Sequence, residues 1–133
     1  MAMEIDLVTR LTGDTAIAAL VGEAVSWFGR SRGDGLPALV LTKVSAGREY
    51  DHAGADGLDG PRVQIDCLAV TATDTVALRD AVLACMEPAA TVGDTKFHNA
   101  FLEGEIWIDE SEQDGGEALF QLALDFIFYH EEI

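Results

Sequence analysis

The chain has 133 residues, of which 49% are hydrophobic and 24% are charged, and this balance predicts one globular domain over residues 1–133. Its 24 acidic and 8 basic residues give a formal net charge of −16, which disfavours a nucleic-acid binder because neutralisation of phosphates drives the affinity of that class. No apolar run approaches the roughly 20 residues that span a bilayer, and Glu4 and Asp6 stand where a signal peptide is basic, so we expect neither a membrane protein nor secretion by that route.

The N-terminal segment predicts helix in two pieces. Apolar residues recur at helical spacing from Met3 to Val21, and Thr12–Asp14 interrupts them. Asp14 suits the N-cap of the second piece, because its carboxylate can accept from free backbone N–H groups, and Gly22 suits its end. The stretch that follows, Val25 to Arg32, is ambiguous.

A strand and a long loop are predicted next. Pro37 opens the strand, which runs through the apolar and β-branched segment Ala38 to Val44. The segment Ser45 to Gly60 holds four glycines and several aspartates, so we expect it to bury little and to form a mobile loop. Five of its residues are candidate partner contacts: Asp51, His52, Asp56, Leu58 and Asp59.

The centre of the chain predicts a strand followed by a helix. Arg62 to Thr71 alternates apolar and polar residues, as a strand with one buried face does. Asp74 is the predicted N-cap of a helix whose apolar side extends to Met86. Cys67 and Cys85 lie in these two elements without CxxC spacing, which favours buried thiols over a disulfide or a zinc site.

The C-terminal third predicts a hairpin of two strands. In the first strand, His98, Ala100, Leu102, Gly104, Ile106 and Ile108 share one face, and Phe97, Asn99, Phe101, Glu103, Glu105, Trp107 and Asp109 share the other. An acidic turn follows from Asp109 to Glu117, and residues alternate again from Phe120 to Phe128. The whole order predicts an α+β fold, with a mainly antiparallel sheet of about four strands and an N-terminal and a central helix packed on it.

The sequence carries no recognisable catalytic or metal-binding pattern. His52, His98 and His130 share no spacing, and the aspartates from Asp51 to Asp59 do not follow the alternation of an EF-hand. His98 could act as a base beside Glu103 or Glu105, but a strand histidine with an ordinary hydrogen bond explains it more simply. We therefore expect no catalytic residue, no bound metal and no cofactor.

Two further groups are candidates for contact with other proteins. Trp27 and Phe28 are adjacent aromatic residues beside glycine-rich sequence, which is typical of an exposed interface anchor. Four acidic residues would form an acidic surface or the wall of a pore: Glu103, Glu105, Asp109 and Glu110.

Four segments together resemble the tail completion, or tail terminator, proteins of long-tailed phages and gene transfer agents. The segments are Asp6–Leu11 with Gly13–Gly22, Leu36–Leu41, Arg62–Cys67 with the helix to Met86, and Trp107–Glu110 with Leu122–Tyr129, Glu131 and Glu132. Each is weak alone, and the resemblance lies in their order and spacing over nearly the whole chain. It implies a single tail-terminator-like domain.

The resemblance implies a structural role at the junction of tail and head. Such proteins form a homohexameric ring that caps the tail tube, stops its polymerisation and presents a face to the head-side connector or stopper protein. DNA passes through the ring without tight binding, which fits a negative charge because negative walls repel phosphate. The implied location is the virion or virion-like particle, reached from the host cytoplasm where the particle assembles.

Two other interpretations remain open on the sequence alone. One is a small metal- or ligand-dependent enzyme built on the segment from Asp51 to Asp59 or on Glu103 and Glu105. The other is a neck or minor tail adaptor, which would share the ring but bind other partners.

Overall fold

Two short helices form the N-terminus of the computed structural model, which describes residues 2–29, 35–45, 48–51, 54–109 and 119–132. They are α1 (Ala2–Gly13) and α2 (Thr15–Val21). The Asp14 carboxylate accepts a hydrogen bond from the Ile17 amide at 3.1 Å. Gly22 ends α2 with a φ of +61°, a conformation that glycine adopts without the steric cost of a Cβ. The predicted break, cap and end are confirmed.

The described residues form eight strands in one sheet. They are β1 (Val25–Trp27), β2 (Ala38–Ser45), β3 (Arg48–Asp51), β4 (Gly54–Asp59), β5 (Arg62–Ala69), β6 (Ala90–Val92), β7 (Thr95–Asp109) and β8 (Phe120–Glu132). Across the sheet the order is β1-β2-β5-β8-β7-β6, and only the β1–β2 pair is parallel. The prediction of an α+β fold with a mainly antiparallel sheet is confirmed, although about four strands was too few.

The prediction of a loop from Ser45 to Gly60 is wrong for the residues that form β3 and β4. These two strands pair as a hairpin, and β4 also pairs with β8, Leu58 with Glu131 and Asp59 with His130. The physical reason is the length of β8. The strand β5 covers one side of β8 only as far as Ile127, and the uncovered backbone beyond it accepts β4 despite the weak strand propensity of glycine and aspartate.

The central helix α3 (Ala72–Met86) begins three residues earlier than predicted. Thr71 is the N-cap, because its side chain accepts from the Asp74 amide at 3.1 Å. Asp74 instead lies in the first turn, where a negative charge interacts favourably with the helix dipole. Both a threonine and an aspartate suit an N-cap, so the sequence did not distinguish them.

One face of the sheet, here called the inner face, is covered by the three helices. The core combines Leu7, Leu11, Ile17, Leu78 and Val82 from the helices with Leu39, Leu41, Val63, Ile65, Leu122, Leu124, Phe126 and Phe128 from the strands. Fully burying a side chain of this size contributes roughly 1.5–3 kcal/mol. We call the opposite face of the sheet, which carries the exposed side chains of Phe101, Ile106 and Tyr129, the outer face.

Two register shifts in β7 change which of its residues face the core. They lie between Phe97 and Ala100 and between Leu102 and Gly104. The prediction that Phe97 shares a face with Asn99 and Glu103 is wrong, because Phe97 is fully buried. Each bulge inserts an extra residue and reverses the alternation, which a strictly period-two reading cannot anticipate.

Helix α1 is held to the rest of the fold by three polar side chains. Glu4 forms an ion pair with Lys43 of β2, and Asp6 accepts from the Thr95 hydroxyl at 2.6 Å. The buried guanidinium of Arg10 donates to the carbonyl oxygens of Cys85 and Pro88, each at 2.6 Å. Because those carbonyls lie at the C-terminal end of α3, Arg10 satisfies acceptors that the helix itself leaves free.

Candidate interaction surfaces

The described residues bring together no catalytic constellation. His98 Nε2 lies 3.4 Å from Glu131 Oε1, so its acidic neighbour is a residue of β8 and not Glu103 or Glu105. At this distance the contact is weaker than an ordinary hydrogen bond. The described part of the chain contains no group of three or more histidine, cysteine, aspartate or glutamate residues able to hold a metal ion.

Both cysteines are buried and free. Burial raises the pKa of the Cys67 thiol and that of the Cys85 thiol above their ordinary value of 9.0. Since the thiolate is the reactive form of cysteine, both side chains act as small apolar core residues, in agreement with the sequence interpretation.

The acidic candidates divide into different environments. Glu103 and Glu105 are both exposed, and Glu105 Oε1 accepts from Arg79 Nη1 of α3 at 3.0 Å. The bulge between Leu102 and Gly104 separates the two glutamates, so the prediction that they share one strand face is wrong. Asp109 is the last residue of β7, and Glu110 lies outside the described residues.

The two candidate interface aromatics also differ. Trp27 is partly buried, and its indole Nε1 donates to the Glu4 carbonyl at 3.0 Å. Phe28 is 71% exposed and has a φ of +65°, a left-handed conformation that is unusual for a bulky residue. Its amide donates to the Leu41 carbonyl at 2.7 Å, which holds the backbone while the ring lies in solvent. Phe28 alone therefore has the geometry of an exposed anchor.

The candidate contact residues of the predicted loop are placed by the β3–β4 hairpin. Asp51 ends β3, and Asp56, Leu58 and Asp59 lie in β4. His52 falls outside the described residues. The hairpin lies beside the C-terminal end of β8, at the opposite end of that strand from its connection to β7.

The outer face carries an exposed apolar patch that sequence reasoning did not identify. We call Phe101, Ile106, Ile108 and Tyr129 the outer patch; Phe101 is 62% and Ile106 is 64% exposed. In register, Phe101, Ile106 and Ile108 lie opposite Ile127, Ala123 and Gln121, which alternate with the core residues of β8. The second bulge creates this patch, because it turns Ile106 and Ile108 to the same face as Phe101.

Along β7, one backbone edge lacks a strand partner in the described structure. The short strand β6 pairs only with Thr95–Phe97, and β8 occupies the other side of β7 throughout. The Asn99 side chain donates to the Glu87 carbonyl at 2.9 Å, which covers the edge at that point. From Ala100 to Asp109 no described strand pairs with this side, and we call that stretch the free edge.

No helix in the described part of the chain is long and apolar enough to cross a bilayer.

Comparison with known proteins gives one family and one fold. The family model described as tail completion protein gp17 matches residues 5–131. Among solved structures, a chain in the virion of a native gene transfer agent particle is similar, with a TM-score of 0.67, 16% identity, and coverage of 97% of this chain and 94% of that one. At this identity the likeness shows a shared fold. No curated protein sequence matches.

Proposed function

The chain belongs to the tail completion protein family, whose model matches residues 5–131, and on this premise we propose that it is the subunit of a ring that ends the tail tube and joins the tail to the head. Members of this family are structural proteins of tailed particles and not enzymes. The protein is therefore a virion component, as the sequence resemblance implied.

The observation that carries the proposal is the extent of the family match together with the shared fold. Both extend over almost the entire chain, so the ring-forming role does not depend on one transferable motif. A closed ring of identical subunits needs two different surfaces on each copy, because its contacts are head-to-tail. Phe28, beside the edge strand β1, is an exposed apolar residue that suits one of these two surfaces.

The charge of the chain supports the passage of DNA through such a ring. With a net charge of −16 per subunit, a lumen lined by carboxylates would repel phosphate and disfavour adhesion. The proposed partners are further copies of the chain, the tail tube protein and the head-side connector. The host cytoplasm is the proposed location before assembly.

Native mass spectrometry combined with electron microscopy tests the ring. We expect a hexamer, since a tube of sixfold symmetry needs a cap of the same symmetry, and rings at one end of tubes when the purified tail tube protein is added. Assembly should improve with salt, because screening reduces repulsion between subunits and the Debye length falls to about 10 Å at 0.1 M. A chain that remains monomeric at high salt and high concentration, even with the tube protein present, contradicts the ring.

A matched pair of variants tests the role of Phe28 in ring closure. Phe28→Asn removes the exposed ring but retains a residue that tolerates a left-handed backbone, whereas Ile5→Asn alters another exposed apolar residue, on α1. We expect the first variant to weaken assembly and the second to leave it unchanged. Equal assembly by both variants would remove Phe28 from the interface without affecting the family assignment.

A further inference from the structure

We infer that the free edge of β7 binds an extended, basic strand of another protein by adding that strand to the sheet. The inference deepens the proposed function, which requires the chain to hold two other proteins, and it rests on that function only for the identity of the partner. The binding itself follows from the backbone, the side chains beside it and the distribution of charge.

The backbone is the first argument. From Ala100 to Asp109 the amide and carbonyl groups on one side of β7 have no described strand to bond with. Such an edge is a template for another strand. Proteins commonly block long edges with proline, charged side chains or β-bulges; this stretch of β7 contains no proline or lysine, and what interrupts it is the bulge between Leu102 and Gly104 and the carboxylates of Glu103 and Glu105.

The side chains beside the edge are the second argument. Phe101 and Ile106 of the outer patch are more than half exposed, and Trp107, which lies opposite Leu122 on the other face, is 46% exposed. An added strand would cover apolar side chains on both faces of β7. Main-chain hydrogen bonds with alternating side-chain contacts are the recognition mode of strand addition.

Charge identifies the partner as basic and as a different protein. Every lysine and arginine whose side chain the structure describes is engaged within the chain: Arg10 by carbonyls, Lys43 by Glu4, Arg62 by Asp125, Arg79 by Glu105 and Lys96 by Glu131. From Cys67 onward the sequence has 14 acidic and 2 basic residues. A second copy paired through the same edge would bring acidic strands together, and like charges opposite each other are destabilising.

Synthetic peptides test the edge without any particle protein. The probes are a short peptide of alternating valine and lysine, the matching valine and glutamate peptide, and the valine and lysine peptide with N-methylated backbone. We expect the lysine peptide to bind about tenfold more tightly than the glutamate peptide. This is the ratio expected when two cross-strand charge pairs change from attractive to repulsive. We expect the methylated peptide to lose binding, because it cannot complete the ladder.

Hydrogen exchange of the protein, measured with the lysine peptide bound, shows whether the peptide pairs with the free edge. Strand addition should slow the exchange of alternate amides between residues 104 and 109, beyond the bulge at Leu102–Gly104, since only every second N–H points to the free edge. Glu103→Lys should reduce the preference for the lysine peptide, and Glu23→Lys, at an exposed site away from the edge, should not. Equal affinity for both charged peptides, retained binding of the methylated peptide, or protection without alternation would each overturn the inference.

The same exchange measurement with the tail tube protein and the head connector protein distinguishes failure of this inference from failure of the proposed function. If rings form and bind a partner but neither partner slows exchange along the free edge, strand addition is wrong and the ring stands. If no ring and no partner complex form, the proposed function fails, whereas peptide binding with alternate protection still supports the edge. Concentration-dependent protection of the edge in the isolated protein would show that a second copy occupies it, which also overturns the inference.

Discussion

At the scale of single residues, Gly93 couples a turn of the sheet to helix α1. It lies between β6 and β7 with a φ of +58°, and a Cβ added there would lie 2.5 Å from Asp6 Oδ1. The other oxygen of Asp6 accepts from Thr95. The turn therefore needs a residue without a side chain both for its backbone conformation and for its contact with α1.

The exchange Gly93→Ala should lower the free energy of unfolding by about 1 to 3 kcal/mol, from the left-handed backbone and from the displaced Asp6 contact. Gly13→Ala is the matched control, because a Cβ there meets nothing within 4 Å. Urea denaturation of both variants measures the difference. Equal stability of the two variants would show that the turn relaxes without cost.

Asp66 is a buried carboxylate whose titration affects stability. Burial raises its pKa above the ordinary 3.8, and hydrogen bonds from Gln64 and Gln121 offset only part of this effect. The folded state then binds the proton more tightly than the unfolded state. Stability from Asp66 is fully present below pH 3.8 and is lost as the pH rises through the folded pKa.

Replacement of Asp66 by Asn should therefore raise the melting temperature at pH 7, and the gain should vanish below pH 3.8. Thermal unfolding across this pH range measures it. Asp80→Asn, at an exposed position of α3, controls for the change in net charge. A stabilisation that persists at acid pH would mean that ionisation of Asp66 is not its cause.

At the scale of secondary structure, β8 organises the sheet. It pairs with β5, β7 and β4, and its inner-face residues Leu122, Leu124, Phe126 and Phe128 are in the core. The alternation along this strand predicted its buried face correctly, because β8 has no register shift against β5. The neighbouring β7, with two shifts, was not predictable in the same way.

Phe126→Ala should destabilise the protein by about 3 to 5 kcal/mol, since it removes a fully buried ring and leaves a cavity. Phe101→Ala removes the same ring from the exposed outer patch and should change the stability of the isolated chain by less than about 1 kcal/mol. Denaturant unfolding of the two variants compares them directly. Similar losses in both would contradict the assignment of the inner and outer faces.

At the scale of the whole molecule, the net charge disfavours binding to nucleic acid. A net charge of −16, with the described basic side chains engaged within the chain, leaves few cations to neutralise phosphates. Long-range repulsion of this kind does not depend on the orientation of any one side chain. It is also compatible with a ring through which DNA moves.

We expect no submicromolar binding of duplex DNA at physiological salt, because several phosphates must be neutralised together for such affinity. Fluorescence anisotropy with a labelled duplex, at low and physiological salt, measures this. Assembly of the same preparation with the tail tube protein verifies that the protein is folded and active in binding its partner. Tight binding of DNA by the assembled ring would contradict a non-adhesive lumen.

The sequence by itself determined the features that depend on local pattern or on composition. Helical spacing, the Asp14 cap and the end at Gly22 depend on neighbours along the chain, and so does the alternation that marks the strands from Arg62 and from Phe120. The sequence did not show that both faces of β5 are buried from Ile65 to Ala69. The charge disfavoured a nucleic-acid binder, and the order and spacing of four segments carried the resemblance to tail completion proteins, because neither observation depends on distant contacts.

Tertiary structure alone decided the features that depend on distant partners. The β3–β4 hairpin forms against the uncovered end of β8. The local sequence, rich in glycine and aspartate, does not predict this pairing. The bulges in β7 turn Ile106 and Ile108 outward and separate Glu103 from Glu105, because register is set between strands and not within one. The outer patch and the free edge exist for the same reason: they are defined by which sides of β7 its neighbours leave uncovered.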